Sequence, residues 1–221
     1  MWYYIEMENK DIKYIIFDFD GTIADSGTIA FNAINSMSDK HGFDKLDWSQ
    51  IDKLRSMTVK ERSKFIGVPL YKMPFIAPEF YNYYKEEMTD MGINKGIRKL
   101  IDDLNKDGYK LAVISSNSEY NIKEFFIKKN IKVFNEIICS KHIFSKGKII
   151  NKFLKQKELN PSEVIYIGDE MRDIEACKKS GIKIIWVDWG LDMKEAAAAM
   201  NPDYMVSKTE EIYKIIKSLG V

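Results

Sequence analysis

The sequence predicts an α/β protein in which a doubly wound parallel sheet carries a smaller all-helical domain inserted after the first strand. From residue 92 onward, apolar runs of strand length alternate with amphipathic helices, a pattern typical of parallel sheets covered on both faces. A single apolar strand comes earlier, at residues 12–17, and the stretch between these two regions has helical spacing only. At 221 residues the chain is long enough for one core domain with such an insertion.

The first strand and the insertion follow from local composition. Residues 12–17, Ile-Lys-Tyr-Ile-Ile-Phe, are mostly β-branched or aromatic and stop at an acidic turn containing Gly21, which predicts a buried strand. Between residues 26 and 90, glycine and proline interrupt helical stretches and no convincing strand occurs. We therefore predict a core domain of residues 1–25 and 91–221 and a helical cap domain of residues 26–90. An aromatic stripe at helical spacing is predicted to pack in the core: Phe80, Tyr83, Tyr84 and Met88.

The remaining elements are predicted from alternating signals along the chain. The second to fifth strands are expected where apolar runs reach polar turns, at residues 111–114, 136–139, 164–167 and 182–187. Helices are expected where apolar residues recur at helical spacing, around residues 97–104, 122–126, 149–154, 172–180 and 212–219. Ser118 is predicted to cap the start of the helix around residues 122–126. Gly108 and Gly181 are predicted to end the helices that precede them. Residues Ser207 to Glu210 have the form of a capping box for the last helix.

The composition excludes several classes of function. Lys plus Arg total 34 and Asp plus Glu total 33, so no overall field would attract nucleic acid or an anionic membrane. Two glutamates precede any apolar run of signal-peptide length, and no stretch approaches a membrane span, so we expect a cytoplasmic protein. Neither a GxxxxGK(S/T) nor a GxGxxG motif occurs, which removes the usual sequence support for a P-loop or dinucleotide enzyme.

The cysteines and histidines give no sign of a further site. Cys139 and Cys177 lie in apolar surroundings without CxxC spacing, which favours reduced core thiols over a disulfide or a zinc site. His41 and His142 lie in polar contexts without a spaced partner. We expect both histidines to be solvated.

Acidic and hydroxyl residues are concentrated at the carboxyl ends of three predicted strands. They are Asp18 and Asp20 after the first strand, Ser115 and Ser116 after the second, and Asp169, Glu170 and Asp173 after the fourth. Ligands of open parallel sheets bind beyond these ends, near the point where the strand order reverses. We therefore expect residues that are distant in sequence to share one crevice.

Asp18 and Asp20 are expected to point to the same side of the chain, because successive side chains of an extended strand alternate. Two carboxylates in so small a volume repel each other, and one tends to stay protonated. A divalent ion bound with Asp169 would relieve that repulsion. Oxygen ligands of this kind suit magnesium better than zinc, so the sequence predicts a Mg²⁺ site.

Four motifs in order along the chain resemble those of the haloacid dehalogenase superfamily, and within it the phosphoglycolate phosphatase-like hydrolases with a helical C1-type cap. Asp18-Phe-Asp-Gly-Thr22 resembles the first motif, Val113-Ile-Ser115 the second, and Gly168-Asp-Glu-Met-Arg-Asp173 the fourth. The third motif is a lysine, for which Lys146 and Lys148 are both candidates. Lys146 is preferred because it aligns better with a Phe-Gly-Lys form of that motif, although Ser145 replaces the glycine and no Lys-Pro pair is present. The resemblance covers essentially the whole chain and implies a Rossmann-like core.

The resemblance implies a role for each of these residues. Asp18 would attack phosphorus and form an aspartyl phosphate, while Asp20 would protonate the leaving alcohol and later accept a proton from water. Ser115 would donate to a phosphoryl oxygen, and Lys146 would neutralise charge on the nucleophile and the phosphate. Magnesium would be bound by the Asp18 carboxylate, the Asp20 carbonyl and Asp169. The other expected members of the site are Gly21, Thr22, Ser116 and Asn117 around the substrate, and Glu170 and Asp173 beside the metal ligands.

These expectations describe a magnesium-dependent phosphatase that hydrolyses a small-molecule phosphate ester. The cap would close over the ester and exclude water. Its basic residues Arg55, Lys60, Arg62 and Lys64 could reach a substrate anion, although solvated helix faces are the more frequent explanation of such charges. Arg172 is interpreted as a surface or salt-bridge residue. The sequence leaves the natural substrate and the oligomeric state open.

Two alternatives remain open from the sequence. A phosphomutase of the β-phosphoglucomutase kind resembles the same family and also keeps the second aspartate for proton transfer. A phospho-accepting signalling module of the receiver type also places acids, a hydroxyl and a lysine at strand ends. In that module, however, the metal-binding acids and the phosphorylated aspartate lie on different strands, unlike Asp18 and Asp20. Dehalogenase activity is disfavoured, because cleavage of a carbon–halogen bond gives Asp20 no alcohol to protonate.

Overall fold

The computed structural model describes residues 12–87, 90–140 and 145–219, which form a six-stranded sheet with helices on both faces. The strands in chain order are β1 Tyr14–Phe17, β2 Ala24–Asp25, β3 Gly92–Ile93, β4 Lys110–Ser115, β5 Phe134–Cys139, β6 Val164–Gly168, β7 Lys183–Val187 and β8 Tyr204–Val206. The order in the main sheet is β5-β4-β1-β6-β7-β8, and all its pairings are parallel. The predicted doubly wound parallel sheet is confirmed, and β1 lies where the strand order reverses.

Three of the strands do not appear in the sequence prediction. β8 extends the main sheet beyond β7, and β2 and β3 pair antiparallel with each other. Segments of two or three residues are too short for a periodicity of two to show in the sequence. Because β2 and β3 flank the helical insertion, the chain leaves the core and returns to it at one point, close to the end of β1.

The insertion between β2 and β3 consists of helices and turns within the described residues 27–87. Its helices are α1 Gly27–His41, α2 Ile51–Arg55, α3 Val59–Phe65 and α4 Met73–Glu87, with short 3-10 helices at Trp48–Gln50 and Leu70–Lys72. It encloses an apolar cluster of its own: Phe31, Met37, Leu46, Leu54, Ile66, Val68 and Ile76. On α4, Tyr84 is buried in the main core, and Phe80 and Tyr83 pack partly against it, as predicted for the aromatic stripe. Met88 lies outside the described residues.

The two faces of the sheet are covered by different core helices. These are α5 Ile97–Lys106, α6 Glu119–Lys128, α7 Lys146–Lys157, α8 Met171–Ser180, α9 Lys194–Ala198 and α10 Thr209–Leu219, with a 3-10 helix at Pro161–Glu163. Ile15 and Phe17 of β1 share a cluster with apolar side chains of α5, α6 and α10, whereas Tyr14 and Ile16 share one with α7 and α8. Because both faces are buried, β1 is apolar at every position, and each Å² of apolar surface removed from water stabilises the fold by about 25 cal/mol.

The prediction for the capping box of the last helix is wrong, because it places the box one residue too early in the chain. α10 begins at Thr209, and the carboxylate of Glu211 accepts the N–H groups of Ser207 and Lys208 at 2.9 and 3.0 Å. Glu210 is exposed instead. The other predicted helix ends are confirmed: Ser118 caps α6, and Gly108 and Gly181 follow α5 and α8 with positive φ angles.

The cysteines are free thiols, as predicted. Cys177 is buried and Cys139 is half-buried.

The prediction that His41 is solvated is incomplete, because its Nε2 lies 2.9 Å from a carboxylate oxygen of Glu79. His142 lies outside the described residues. Among the described helices, none is both long and apolar enough to cross a membrane.

Candidate active site

Asp18 lies at the end of β1, the central strand of the sheet. Its backbone N–H donates to the carbonyl of Ile167 on β6 at 2.8 Å, and its side chain, only 1% exposed, accepts the N–H of Phe19 at 2.7 Å. The chain then turns through Gly21, whose φ of 74° favours glycine. A Cβ at Gly21 would lie 2.2 Å from Oδ2 of Asp169. Both the turn and the approach of Asp169 therefore require glycine at this position.

Lys146 is the lysine that the fold places against Asp18. It is the first residue of α7 and is buried, and its Nζ donates to Oδ2 of Asp18 at 2.5 Å and to Oδ1 of Asp173. A carboxylate oxygen of Glu170 lies 3.8 Å away, whereas Lys148 is exposed. Burial lowers the pKa of Lys146, but Asp173 and Asp18 raise it by more. The net pKa lies above its ordinary value, so the ammonium stays charged.

Asp20 lies near Asp18 and is held by a different partner. The side-chain amide of Asn117 donates to its two carboxylate oxygens at 3.2 and 2.9 Å. Burial, and after it the negative charge of Asp18, raises the pKa of Asp20 from 3.8 to about 7. A carboxyl group with such a pKa can both give and accept a proton near neutral pH.

The two serines after β4 are bonded in different ways. Ser115 is buried and accepts the N–H of Asn117 at 3.1 Å; its own hydroxyl hydrogen has no acceptor among the described residues and can be donated to a ligand. Ser116 accepts from Nη2 of Arg172 at 3.0 Å, and the same nitrogen lies 2.5 Å from a carboxylate oxygen of Glu170. Arg172 is thus a salt-bridge residue, as interpreted from the sequence. The pattern of residues gave no sign that this ion pair lies inside the crevice.

Asp169 follows β6, and both of its carboxylate oxygens are bonded. Oδ1 accepts the hydroxyl of the buried Thr22 at 2.6 Å, and Oδ2 accepts the N–H of Leu191 at 2.6 Å. A Cβ at Gly190 would lie 2.1 Å from the Cβ of Asp169, so the loop after β7 approaches this closely because residue 190 is glycine. Burial raises the pKa of Asp169 well above its ordinary value. The hydroxyl of Thr22, a residue expected around the substrate, thus holds this acid in place.

Negative charge exceeds positive charge at this edge of the sheet. Five carboxyl groups and two cations lie close together, so three negative charges would be unbalanced if every acid ionised. Three of the acids each offer one carboxylate oxygen, and these three oxygens lie within 4.8 Å of one another. Such oxygen donors fit a magnesium ion, whose charge would relieve the repulsion. The group of three is Asp18, Glu170 and Asp173; the other acids are Asp20 and Asp169, and the cations are Lys146 and Arg172.

The metal-free protein should become less stable as the pH rises. Burial and the charge of Asp18 raise the pKa of Asp20 to about 7 and that of Asp173 to about 8, whereas carboxyl groups of an unfolded chain titrate near about 4. The folded state therefore keeps protons that the unfolded chain has lost, and the free energy of unfolding falls between about pH 5 and pH 8. We expect Tm in EDTA to decrease over this range, and Mg²⁺ to raise Tm more near its alkaline end.

Calorimetry of matched variants measures this effect. Asp20→Asn has no carboxyl group to titrate at that position, so its Tm in EDTA should depend less on pH than that of the wild type. Asp44→Asn removes an exposed acid of the insertion and should keep the wild-type dependence. A Mg²⁺-induced rise in Tm of equal size at both ends of the pH range would contradict this account of the acids.

Two of the four basic residues singled out in the insertion contact the core. Arg62 pairs with Asp192 in the loop after β7, and Arg55 donates to the carbonyl of Gly190 in the same loop at 3.0 Å. The other two, Lys60 and Lys64, are exposed. The arginines therefore join the insertion to the loop that approaches Asp169.

Tyr81 on α4 is a member of the site that the sequence did not identify. Its hydroxyl donates to the carbonyl of Ser116, and the residue lines a cavity that also reaches Asp20. Burial raises the pKa of Tyr81 to about 12, so the phenol stays protonated. The aromatic stripe predicted that one face of this helix is buried. Tyr81 lies beside the stripe, and nothing in the sequence around it indicated a contact with the site.

The fold and the site together define a class of protein. A central parallel strand ends in a carboxylate bonded to a buried lysine, with a second carboxyl group of near-neutral pKa and further acids beside it. Carboxyl groups held in this way are suited to proton transfer and to nucleophilic attack. The chain belongs to the haloacid dehalogenase-like hydrolase family, whose model matches residues 15–187.

Relatives match the chain along nearly its full length. It is 24% identical over 209 residues to a phosphoglycolate phosphatase of Synechococcus elongatus, with 94% of this chain and 99% of the relative covered. It is 25% identical to pyrophosphatase PpaX of Bacillus velezensis, with 95% of this chain and 98% of the relative covered. The crystal structure of a predicted phosphatase from Clostridium acetobutylicum has the same fold, with a TM-score of 0.81 at 20% identity over 94% of this chain and 99% of that chain.

Proposed function

We propose that this protein is a magnesium-dependent phosphatase that hydrolyses a small-molecule phosphate monoester through an aspartyl-phosphate intermediate. The observation that carries the proposal is the pair of carboxyl groups at the end of β1. Asp18 accepts from the buried Lys146 at 2.5 Å, and Asp20 has its pKa raised by burial to about 7. One carboxyl group can attack while the other transfers a proton. The names of the two relatives support phosphorylated substrates.

In the first step a carboxylate oxygen of Asp18 attacks phosphorus. A bond forms between that oxygen and phosphorus while the bond from phosphorus to the ester oxygen breaks. Asp20 gives its proton to the departing oxygen, so an alcohol leaves. Lys146 and the hydroxyl group of Ser115 contact the phosphoryl oxygens, where negative charge is concentrated.

In the second step a water molecule attacks the phosphorus of the aspartyl phosphate. Asp20, which is now ionised, takes a proton from the water. The bond between phosphorus and Asp18 breaks, which releases inorganic phosphate and restores the carboxylate. One residue thus serves as acid and then as base, and the raised pKa of Asp20 suits both tasks.

The acids at this edge of the sheet would hold the magnesium ion. Asp18, Glu170 and Asp173 already bring oxygens to a suitable spacing, and the Asp20 carbonyl is a further proposed ligand. Asp169 would join them when one of its oxygens is released by its protein donors. When bound, the ion supplies positive charge to the phosphoryl oxygens.

The helical insertion would act as a cap over this site, with residues 26–90 as the cap domain and residues 1–25 and 91–221 as the core. Two observations support this division: the insertion has its own apolar cluster, and both of its ends lie at the β2–β3 pair. Tyr81 and Arg62 of the insertion contact the core, and both line a cavity that reaches Asp20. Such a cover would keep bulk water from the reacting groups.

Hydrolysis of an aryl phosphate tests the proposed function. The protein should release inorganic phosphate from para-nitrophenyl phosphate in the presence of Mg²⁺, lose this activity in excess EDTA, and regain it when Mg²⁺ is restored. Free phosphate as the product also distinguishes hydrolysis from transfer by a phosphomutase. Persistent stoichiometric phosphorylation without turnover would contradict the proposal and indicate a signalling module, and activity unaffected by EDTA would exclude the metal.

A further inference from the structure

A cavity of about 260 Å³ extends from Asp20 into the helical insertion. At its core end it is bordered by Asp20, Ser116, Glu170 and Arg172. Most of the remaining lining is apolar and comes from the helices of the insertion and the turns between them; it includes Ile34, Met37, Val59, Ile66, Ile76 and Phe80. Pockets for drug-sized ligands span roughly 300–1,000 Å³, so this cavity suits a smaller organic group.

The polar side chains that the insertion contributes to this lining are already bonded within the protein. Arg62 pairs with Asp192, Ser63 donates to the carbonyl of Val68, Tyr81 to that of Ser116, and Tyr84 to that of Ser26. At the core end, Arg172 pairs with Glu170 and Ser116. Among the described residues of the insertion, the lining therefore offers a ligand apolar surface and no unpaired cation.

The position of Asp20 identifies which part of a substrate would enter the cavity. Asp20 borders the cavity, whereas Asp18 is not among the residues that line it. In the proposed reaction Asp20 protonates the ester oxygen, and the organic part of the substrate is bonded to that oxygen. The organic group would therefore extend from Asp20 into the apolar space.

We propose that the substrate is a phosphate monoester of an uncharged, apolar alcohol or phenol whose organic group fills this cavity. The inference rests on the proposed phosphatase function and narrows its substrate class. Each apolar carbon that enters leaves water for apolar surroundings, which favours binding. A carboxylate in the same place would lose its hydration without gaining a partner. An ester that carries a carboxylate at the far end of a longer organic group would be a poor substrate.

Straight-chain alkyl phosphates test the inference, because their leaving alcohols have similar basicity. With Mg²⁺ present, kcat/KM should rise from ethyl to pentyl phosphate by about threefold to fourfold for each added methylene until the cavity is full. Pentyl phosphate should exceed its analogue with a terminal carboxylate by at least roughly 100-fold. The Kd values of the matching alkylphosphonates, which cannot be hydrolysed, should follow the same order.

A variant that narrows the cavity supplies the matched test. Ala77 on α4 lines the cavity, so Ala77→Leu should lower the ratio of kcat/KM for pentyl phosphate to that for ethyl phosphate by at least about tenfold. Ala198→Leu makes the same change at an exposed position of α9 and should leave this ratio unchanged. The Tm of each variant shows whether it is folded.

The outcomes separate this inference from the proposed function. Equal rates for all chain lengths, or faster hydrolysis of the carboxylate-bearing ester, would overturn the inference and leave the phosphatase function intact. Absence of hydrolysis for every ester, para-nitrophenyl phosphate included, would overturn the proposed function itself. An Ala77→Leu variant with a raised Tm and an unchanged ratio would show that the cavity is a packing gap that the substrate does not enter, and would also overturn the inference.

Discussion

Replacement of Asp18 by asparagine should lower kcat/KM for phosphate ester hydrolysis by at least roughly 10⁴-fold. The amide is nearly the same size as the carboxylate, but it is a poor nucleophile and cannot form the aspartyl phosphate. The substitution also removes the negative charge that accepts from Lys146 at 2.5 Å. Steady-state hydrolysis of para-nitrophenyl phosphate with Mg²⁺ measures the loss.

Two controls separate the loss of the nucleophile from a loss of structure. Asp18→Asn preserves the volume of a side chain that is 1% exposed, so circular dichroism and thermal unfolding should show a folded protein. Asp44→Asn makes the same chemical change at an exposed position and should keep the wild-type rate. Near-normal turnover by Asp18→Asn would show that a different group attacks phosphorus.

Lys146→Ala should lower kcat/KM by at least roughly 100-fold, whereas Lys148→Ala should change it by no more than about twofold. Lys146 is buried and donates to Asp18 and Asp173, so its charge acts on the nucleophile and on a phosphoryl group bound there. Lys148 is exposed two residues later on the same helix, which makes it a matched control. Parallel kinetics of the two variants measure the difference.

The two lysine variants should also differ in stability. Without Lys146, Asp18 and Asp173 would be buried without their cation, a change that destabilises proteins by about 3–5 kcal/mol when the charges persist. Protonation of the acids relieves part of this effect, so the Tm of Lys146→Ala should recover towards low pH. Lys146→Met fills more of the vacated space and allows the kinetic test if the alanine variant fails to fold. Equal, small losses of activity at both lysines would place Lys146 outside the reaction.

The sheet could be predicted from the sequence because its signals are local. The central strands are runs of apolar residues that stop at polar turns, as in residues 164–167 before Gly168, because burial on both faces selects apolar side chains. The short strands carry no such signal. β8 at Tyr204–Val206 and the β2–β3 pair exist because neighbouring strands accept their hydrogen bonds, which a local pattern does not show.

The choice between the two candidate lysines shows a further limit of local patterns. Successive residues of a helix are rotated by about 100°, so side chains two positions apart point in nearly opposite directions. Lys146 is buried and Lys148 is exposed for this reason. The motif alignment favours Lys146, and the position of α7 against the sheet brings that lysine to Asp18.

The bonds within the site depend on residues far apart in the chain. Thr22 donates to Asp169, which lies 147 positions later, and Tyr81 on the insertion donates to the carbonyl of Ser116 on the core. The rule that ligands bind at the carboxyl ends of parallel strands predicts which residues converge. It does not predict which of them bond to one another, as the hydroxyl of Thr22 does to Asp169.

Chemical identification of the phosphorylated residue tests most directly the claim that Asp18 is a covalent nucleophile. Acid quenching during a single turnover traps an aspartyl phosphate, and borohydride reduction converts the phosphorylated aspartate to homoserine, which peptide mass spectrometry locates. We predict homoserine at position 18 in the wild type and none in Asp18→Asn. Consumption of the substrate with Asp18 unmodified throughout the turnover, or homoserine at position 20 or 169 instead, would contradict the account.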